Sequence, residues 1–244
     1  MLSVDEPAIT PELIRERAAT LMGRLRATAE GAGRDPDGFR LVAVTKGFEV
    51  AAVRAAQAAG LSVFGENRVQ EAVPKVEAVP GVEWHMIGRL QSNKVRQALG
   101  LFRAIHSVES LELLQRIERI AHDDGHRPRL LLQVDTSAAG GRVGFAAEWF
   151  AAQAGDAASE LVRTLRELHA SEVVGLMTMA PIDGTPPRQH FAALRGLRDA
   201  LQTTAGLPVP ELSMGMTGDA DAAVAEGATL VRIGTAIFGP RPHR

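Results

Sequence analysis

The segment Leu41-Val42-Ala43-Val44-Thr45-Lys46-Gly47 is a short apolar run that ends in a lysine followed by a glycine. A run of this kind is typical of a buried strand in a parallel sheet. The chain has 27 lysine and arginine residues, of which only three are lysines, so it uses arginine wherever any positive charge will serve. Arginine cannot replace a lysine that must lose its proton and attack an aldehyde. Lys46 is therefore a candidate Schiff-base lysine. The alternative is a lysine that merely ends a strand and extends into solvent. Lys75 and Lys94 lie in polar helical stretches, where another residue such as arginine could take their place.

Similar apolar runs recur along the chain and alternate with stretches of helical spacing. The runs are Leu41–Thr45, Ser62–Gly65, Glu83–Ile87, Ala104–Ser107, Leu130–Val134, Val173–Met177, Leu212–Met214 and Thr229–Ile233. The clearest helical stretches between them are Val50–Ala59, Leu111–His122, Phe150–Leu168 and Arg188–Thr203. Eight strands, each followed by a helix, is the count of a closed parallel barrel, whereas a doubly wound open sheet usually has fewer strands or a second domain. We predict an α/β fold, a single-domain (β/α)8 TIM barrel over residues 1–244. The barrel is expected at about 40–239, and an extra N-terminal helix at about 11–30 begins with the start signal Thr10-Pro11.

The composition of the chain excludes several classes of function and of binding partner. The chain is 45% hydrophobic and 23% charged, with a formal net charge of -2, so nucleic acid and anionic membranes are not expected partners. It contains no cysteine, which excludes disulfides, thiolate metal sites and cysteine nucleophiles. No metal site is predicted, since His122 and His126 are explained by a solvated helix end. The N-terminus has no basic start, and nothing approaches the roughly 18 apolar residues of a membrane span. We therefore expect a cytoplasmic protein.

A barrel of this type places its chemistry at the carboxyl ends of its strands. The residues at these predicted ends are Lys46, Glu66, Asn67, His85, Gly88, Ser107, Asp135, Met177, Thr178, Ser213 and Arg232. The four methionines Met177, Met179, Met214 and Met216 are expected as lining and core. His85 either stacks near a ligand or is a structural histidine. Any role of Asp135 or Arg142 stays open.

The most specific segment is Ser213-Met214-Gly215-Met216-Thr217-Gly218-Asp219, which is followed by a helical stretch and then by Val231-Arg232-Ile233-Gly234-Thr235. In a barrel these are the loops after the seventh and eighth strands, the customary phosphate site of the fold. Glycines let backbone amides approach an anion closely, and a short helix beginning at Gly234-Thr235 directs its N–H groups toward it. The hydroxyls of Ser213 and Thr235 add donors. The alternative is that the glycines only form turns and pack.

A reactive lysine after the first strand and a phosphate site after the last two together indicate pyridoxal 5'-phosphate (PLP). Its aldehyde would form an imine with Lys46 while amides and hydroxyls hold its phosphate. Arg232 ends the last strand and is expected to face the pyridine nitrogen. An arginine there leaves this nitrogen unprotonated, so the ring is a weaker electron sink than it would be beside an aspartate.

The sequence resembles the pyridoxal phosphate homeostasis protein family, single-domain relatives of the alanine racemase N-terminal barrel. The matching segments are Leu41–Lys46, Phe64–Glu71, Trp84–Lys94, His106–Val108, Gly175–Met179 and Leu212–Gly239. They occur in family order. Thr217 departs from the pattern, because it stands where serine is usual, but it keeps the hydroxyl.

The resemblance implies a set of cofactor contacts. Lys46 carries the Schiff base, and Asn67 lies near the phenolic oxygen of PLP. Ser213, Gly234 and Thr235 hold the phosphate, and Arg232 lies near the pyridine nitrogen. His85, Met214 and Gly215 are further candidate members of the site.

Two functions fit a bound PLP. The expected one is intracellular vitamin B6 homeostasis: a monomer that holds PLP on Lys46, buffers it or makes it available to apo PLP-dependent enzymes, and has no catalytic residues of its own. The alternative is an amino-acid racemase of the alanine racemase type, which uses a tyrosine as a second base on the opposite face of the imine. The sequence contains no tyrosine and ends soon after the last barrel unit, so the racemase is the poorer fit. A barrel for some other phosphorylated metabolite would leave Lys46 unexplained.

Overall fold

The computed structural model describes residues 9–137, 143–181 and 184–241, which form a parallel β-barrel surrounded by helices. The strands are β1 (Arg40–Val44), β2 (Val63–Glu66), β3 (Glu83–Met86), β4 (Ala104–Val108), β5 (Arg129–Asp135), β6 (Phe145–Ala146), β7 (Glu172–Met177), β8 (Glu211–Ser213) and β9 (Leu230–Ile233). The helices are α1 (Pro11–Gly31), α2 (Val50–Ala58), α3 (Val69–Ala78), α4 (Val95–Leu99), α5 (Leu111–Asp124), α6 (Ala147–Ala154), α7 (Glu160–Arg166), α8 (Pro187–Ala205), α9 (Ala220–Ala225) and α10 (Thr235–Phe238).

Eight of the strands close into the barrel, and every pairing is parallel. Around it the order is β4-β3-β2-β1-β9-β8-β7-β5, and β5 returns to β4. The first and last strands pair along their length, with Val42 opposite Arg232 and Ala43 opposite Ile233. The two-residue β6 pairs only with β5. The predicted (β/α)8 barrel is confirmed, and β6 is the strand that the sequence did not indicate.

The N-terminal helix begins as predicted. The Thr10 hydroxyl accepts a hydrogen bond from the backbone N–H of Leu13 (3.2 Å), and Pro11 occupies the first helical position. The first turn of a helix leaves backbone N–H groups unpaired. The Thr10 hydroxyl pairs one of them, and Pro11 has no N–H group that would need a partner. Apolar side chains at helical spacing, such as Leu21 and Leu25, are buried, and α1 packs against α2, α9 and α10. This helix therefore covers the seam where the first and last barrel units meet.

The single helix predicted over Phe150–Leu168 is wrong. The chain forms α6 and α7 instead, with Gly155 at the end of the first. The Ser159 hydroxyl accepts from the backbone N–H of Val162 (3.2 Å) and so caps a new helix start. Helical spacing continues across the break because both helices bury their apolar faces on the same barrel. Arg142 lies outside the described residues.

The barrel has an apolar core on its outer side and a mixed interior. Most buried side chains lie between the strands and the helices, as in a fold of this class. A separate small cluster comes from the strands alone: Val42, Leu131, Val174, Met177 and Leu230. Beside it the buried interior holds polar side chains, among them His85, His106 and Ser213. Among the described helices, none combines the length and the apolar character that crossing a membrane requires.

The close approach of β7 and β8 depends on a glycine. A Cβ atom on Gly175 would lie 2.0 Å from the carbonyl oxygen of Glu211, so Gly175→Ala must push the two strands apart. We expect the free energy of unfolding to fall by about 1–3 kcal/mol or more. The measurement is urea denaturation followed by circular dichroism.

Gly196→Ala in α8 is the matched control, because nothing lies within 4 Å of its added methyl group. This change should stabilise the helix by roughly 0.5–1 kcal/mol. Equal stability of the two variants would contradict the strand contact.

Candidate functional site

A cleft of about 280 Å³ opens at the carboxyl ends of β1, β2 and β9. Five predicted site residues line it: Lys46, Asn67, Arg232, Gly234 and Thr235. The other lining residues are Val44, Phe48, Ile87, Met179, Met216, Thr217, Gly218 and Arg241. The mixture of apolar walls and a few convergent polar groups is typical of a small-molecule site. The cleft therefore brings together the lysine, the asparagine, the arginine and the last glycine-containing loop that the sequence had singled out.

Lys46 has an environment that favours its neutral amine. The side chain is half-buried, and burial lowers the pKa of Lys46 below its usual range. The positive charges of Arg241 and Arg232 lower this pKa further, while the Glu66 carboxylate opposes them. A neutral amine is the nucleophilic form of lysine. Lys46 is thus suited to react with an aldehyde that enters the cleft.

The peptide that carries Lys46 is held from behind by a buried ion pair. Lys75 Nζ donates to Glu66 Oε1 (2.6 Å) and to the Thr45 carbonyl oxygen (2.8 Å). The Thr45 hydroxyl also donates to Glu66 Oε1 (2.5 Å). Burial raises the pKa of Glu66, but the hydrogen bonds from Lys75 and Thr45 oppose this shift. The interpretation of Lys75 as a replaceable surface lysine is therefore wrong, because it is buried and fixes the residue that precedes Lys46.

The loops after β8 and β9 supply Thr217, Gly218 and Thr235 to the lining of the cleft. Gly215 adopts φ +89°, and a Cβ atom there would lie 2.5 Å from that of Ala223, so only glycine allows the loop to turn so close to α9. Within the described residues, the backbone N–H groups of Thr217, Gly218 and Thr235 have no hydrogen-bond partner. The Thr217 and Thr235 hydroxyls accompany them. This set of neutral donors fits a phosphate group.

Arg232 contributes a guanidinium to the cleft although it is only 4% exposed. Its Nη1 donates to Ser213 Oγ (2.6 Å) and its Nη2 to the Thr178 carbonyl oxygen (2.9 Å). Burial lowers the pKa of Arg232 to about 10, so the group stays positive at neutral pH. A guanidinium has five N–H donors, so three remain beyond these two bonds.

The remaining predicted site residues lie elsewhere. Ser213 is fully buried, and its hydroxyl bonds Arg232 and His106 rather than lining the cleft. His85 is also fully buried, inside β3 rather than at its end, and it bonds Glu83 and His106. Met214 is core and Gly215 shapes the loop. In the structure, Ser213 and His85 thus support the site from within the barrel.

Several lining residues were absent from the predicted site. Thr217 lies in the glycine-containing segment after β8 that the sequence analysis identified. Its hydroxyl, a possible phosphate donor, was the feature that could have indicated its role. Met179 and Met216 belong to the methionines that were expected as lining and core; they line the cleft and are 43% and 38% exposed, whereas Met177 is core. Arg241 follows the last helix and had no local signal. Asp135 forms a local turn, since its carboxylate accepts from the backbone N–H (3.0 Å) and the hydroxyl (2.6 Å) of Ser137.

The chain is similar to proteins of known family. The alanine racemase N-terminal domain family matches residues 24–242. A protein named pyridoxal phosphate homeostasis protein from Synechocystis sp. is 39% identical over 211 residues, 84% of this chain and 93% of the relative. One of the same name from Pseudomonas aeruginosa is 40% identical over 233 residues, 94% of this chain and 96% of the relative.

Solved structures give the same result at the level of the fold. PipY of Synechococcus elongatus, solved with PLP bound, superposes with a TM-score of 0.79 at 39% identity, covering 93% of this chain and 100% of PipY. Alanine racemase from Corynebacterium glutamicum superposes with a TM-score of 0.69 at 17% identity. This chain matches only 63% of that racemase, and the likeness concerns the fold alone.

The support behind Lys46 can be tested through stability. Lys75→Met leaves the Glu66 carboxylate buried without its cation, so we expect the free energy of unfolding to fall by about 3–5 kcal/mol. Lys94→Met is the control and should stay within about 0.5 kcal/mol of wild type. The double variant Lys75→Met/Glu66→Leu should recover part of the loss, because no unpaired charge remains. Urea denaturation measures all three. A Lys75→Met variant that unfolds at the wild-type urea concentration would show that the ion pair does not hold this segment.

Proposed function

The chain belongs to the pyridoxal phosphate homeostasis protein family, and from this premise we propose that it binds PLP in the cleft as a Schiff base on Lys46 and serves vitamin B6 homeostasis. The single observation that carries the proposal is the position of Lys46. Its pKa is lowered by burial, and it shares one cleft with the backbone amides of Thr217, Gly218 and Thr235, which have no partner among the residues that the structure describes. A reactive amine together with a neutral phosphate site matches an aldehyde that carries a phosphate.

The side chains present fit the whole cofactor. Asn67 is suited to bond its phenolic oxygen, and Arg232 can donate to its ring nitrogen. The amides of Thr217, Gly218 and Thr235, with the two threonine hydroxyls, would hold its phosphate. When bound, PLP supplies an aldehyde that condenses with amines and a ring that takes up electron density. The volume of about 280 Å³ lies near the lower end of the range for small-molecule sites, about 300–1,000 Å³.

The same residues favour storage of the cofactor over catalysis. Arg232 keeps its proton at neutral pH, so it would donate to the ring nitrogen without protonating it. A ring held in this way would be a weak electron sink. A two-base racemase also needs an acid on the face opposite the lysine, and the sequence has no tyrosine for this role. We propose that the protein buffers PLP or makes it available to apo PLP-dependent enzymes.

Chemical trapping tests the attachment site. Borohydride reduction of the PLP-loaded protein should fix a pyridoxyl group on Lys46, located by peptide mass mapping. Lys46→Ala should lose the yellow imine absorption yet retain weak PLP binding through the phosphate donors. Lys94→Ala is the control and should label as wild type does. An adduct confined to Lys75 or Lys94 would overturn the assignment.

Assays on the loaded protein also distinguish the carrier from an enzyme. Racemisation of alanine or serine should stay near background. Turnover at ordinary enzyme rates, about 1–1,000 per second, would favour a racemase instead.

In cells, loss of the protein should disturb vitamin B6 pools, and wild type but not Lys46→Ala should correct them.

The phosphate donors can be tested separately. Thr217→Val and Thr235→Val each remove one hydrogen bond to a charged group, worth about 1.5–3 kcal/mol. We expect roughly ten- to more than hundred-fold weaker PLP binding, measured by fluorescence titration. Pyridoxal, which lacks the phosphate, should bind all variants alike. Thr203→Val, at an exposed position of α8, is the control. If neither cleft threonine affects PLP affinity, the phosphate lies elsewhere.

A further inference from the structure

A continuous chain of hydrogen bonds runs through the barrel interior beneath the cleft. Glu83 Oε1 lies 2.7 Å from His85 Nε2, and His85 Nδ1 lies 2.9 Å from His106 Nε2. His106 Nδ1 lies 2.8 Å from Ser213 Oγ, to which Arg232 donates. We call Glu83, His85, His106 and Ser213 the buried relay. The two histidines and the serine are fully buried, while the Glu83 side chain is 28% exposed. Glu83 begins β3 and Arg232 nears the end of β9, so the relay links the opposite mouth of the barrel to the cleft.

The bonding partners fix the direction of this chain. Arg232 can only donate, so Ser213 Oγ accepts from it and has one hydrogen left to give to His106 Nδ1. His106 then carries its proton on Nε2 and donates it to His85 Nδ1. His85 in turn carries its proton on Nε2 and donates to the Glu83 carboxylate. Two neutral imidazoles therefore satisfy every donor and acceptor in one arrangement.

A second arrangement exists only if the histidine pair gains a proton. His85 would then donate from both nitrogens, and His106 Nδ1–H would donate to Ser213 Oγ. The Ser213 hydrogen would be left without an acceptor among the described groups, because its other neighbour is the donor-only guanidinium. Ser213 Oγ would then accept from both His106 and Arg232, and Arg232, which keeps its bond to the Thr178 carbonyl, would face a new positive charge across this shared oxygen. The protonation state of the pair thus controls the support of Arg232.

The charges around the relay favour the neutral arrangement. They are Arg40 on β1, Glu83 on β3, Arg129 on β5, Glu211 on β8 and Arg232 on β9. Burial lowers the pKa of both histidines, and the nearby arginines lower it further. Only Glu83 opposes this at His85, and the hydrogen bond from His85 lowers the pKa of Glu83 to about 2. The carboxylate therefore stays ionised and the imidazoles neutral near pH 7.

A polar chain is an unusual filling for a barrel interior, which normally consists of layers of branched apolar side chains. Apolar side chains of similar volume stabilise a core as well as or better than buried polar networks do. Among the described residues that line the cleft, Arg232 is the one to which a relay residue is hydrogen-bonded. We therefore look for the role of the buried relay in its effect on Arg232.

We propose that the buried relay is a positioning device for Arg232, and that a proton added to its histidine pair weakens the hold on the guanidinium and so weakens cofactor binding. The proposal rests on the proposed function, because Arg232 is taken to face the ring of PLP. None of the relay residues needs to touch the cofactor. The residues act by holding one donor in place across the barrel.

The first experiment uses the protein without cofactor. Nuclear magnetic resonance of isotopically labelled histidine reports which ring nitrogen carries the proton. Near pH 8, His85 and His106 should both be neutral with the proton on Nε2. Any other tautomer for either residue would overturn the direction of the relay. This result does not depend on whether PLP binds.

The second experiment measures PLP affinity against pH in wild type, His106→Asn and Glu83→Gln. The amide side chain introduced by His106→Asn can still accept from Ser213 but cannot gain a proton, so affinity near pH 8 should be kept and the loss at acid pH reduced. Glu83→Gln removes the charge that stabilises a protonated pair, so the acid loss should move to lower pH. If one proton must leave the histidine pair when PLP binds, the affinity falls by up to about tenfold for each pH unit below the pKa of the pair. The PLP phosphate and Lys46 titrate in every variant, so the differences report the relay.

Two controls separate the possible failures. His122→Asn changes an exposed histidine and should leave the profile unchanged. Ser213→Ala should weaken pyridoxal and PLP by the same factor, because it acts through the ring; weakening of PLP alone would make Ser213 a phosphate ligand and overturn its place in the relay. Superimposable pH profiles for wild type, His106→Asn and Glu83→Gln would refute the proposal while leaving PLP binding intact. Failure of wild type to bind PLP would instead refute the proposed function.

Discussion

Closure of the sheet is the constraint on which the site depends. A parallel barrel must pair its last strand with its first, and here Val42 lies opposite Arg232 and Ala43 opposite Ile233. This register places the loop that carries Lys46 beside the loop that carries Gly234, although the two are far apart in sequence. The helix α1 packs over the same seam. The pairing of β1 with β9 thus brings Lys46 and Thr235 to one cleft.

The site also depends on how the barrel distributes charge. Two guanidinium groups near Lys46 disfavour a third cation, and burial adds to this effect. The Lys75–Glu66 pair lies behind the cleft and leaves the lysine peptide little freedom to move. Inside the barrel, a carboxylate at one end and a guanidinium at the other fix the histidines between them. The buried charges of Lys75, Glu66 and Arg232 each have a hydrogen-bond partner, which makes their burial tolerable.

Much of the fold and part of the site could be predicted from the sequence. Apolar runs bounded by helical stretches identify barrel strands, and a lysine at a strand end is visible without any structure. Periodicity could not tell which side of a strand a polar residue faces, so Ser213 was expected in the cleft although it lies within the barrel. For His85 both alternatives stayed open, and the structure has the buried, hydrogen-bonded one. Periodicity also missed the break at Gly155, because helices on either side share an apolar face. Arg241 reaches the cleft from a segment without a motif, and Lys75 is buried only because Glu66 is there to pair with it. Such facts follow from tertiary contacts alone.

The scarcity of lysine has a consequence for chemical selectivity. Aldehydes condense with accessible primary amines on any protein surface and form mixtures of adducts. Of the three lysines here, one lines the cleft, one is sealed in an ion pair, and Lys94 is the only other side-chain amine in contact with solvent. Arginine supplies nearly all the remaining positive charge, and it forms no simple imine. A reactive aldehyde therefore meets almost no competing amines on this surface, so that one specific attachment per chain becomes the expected stoichiometry.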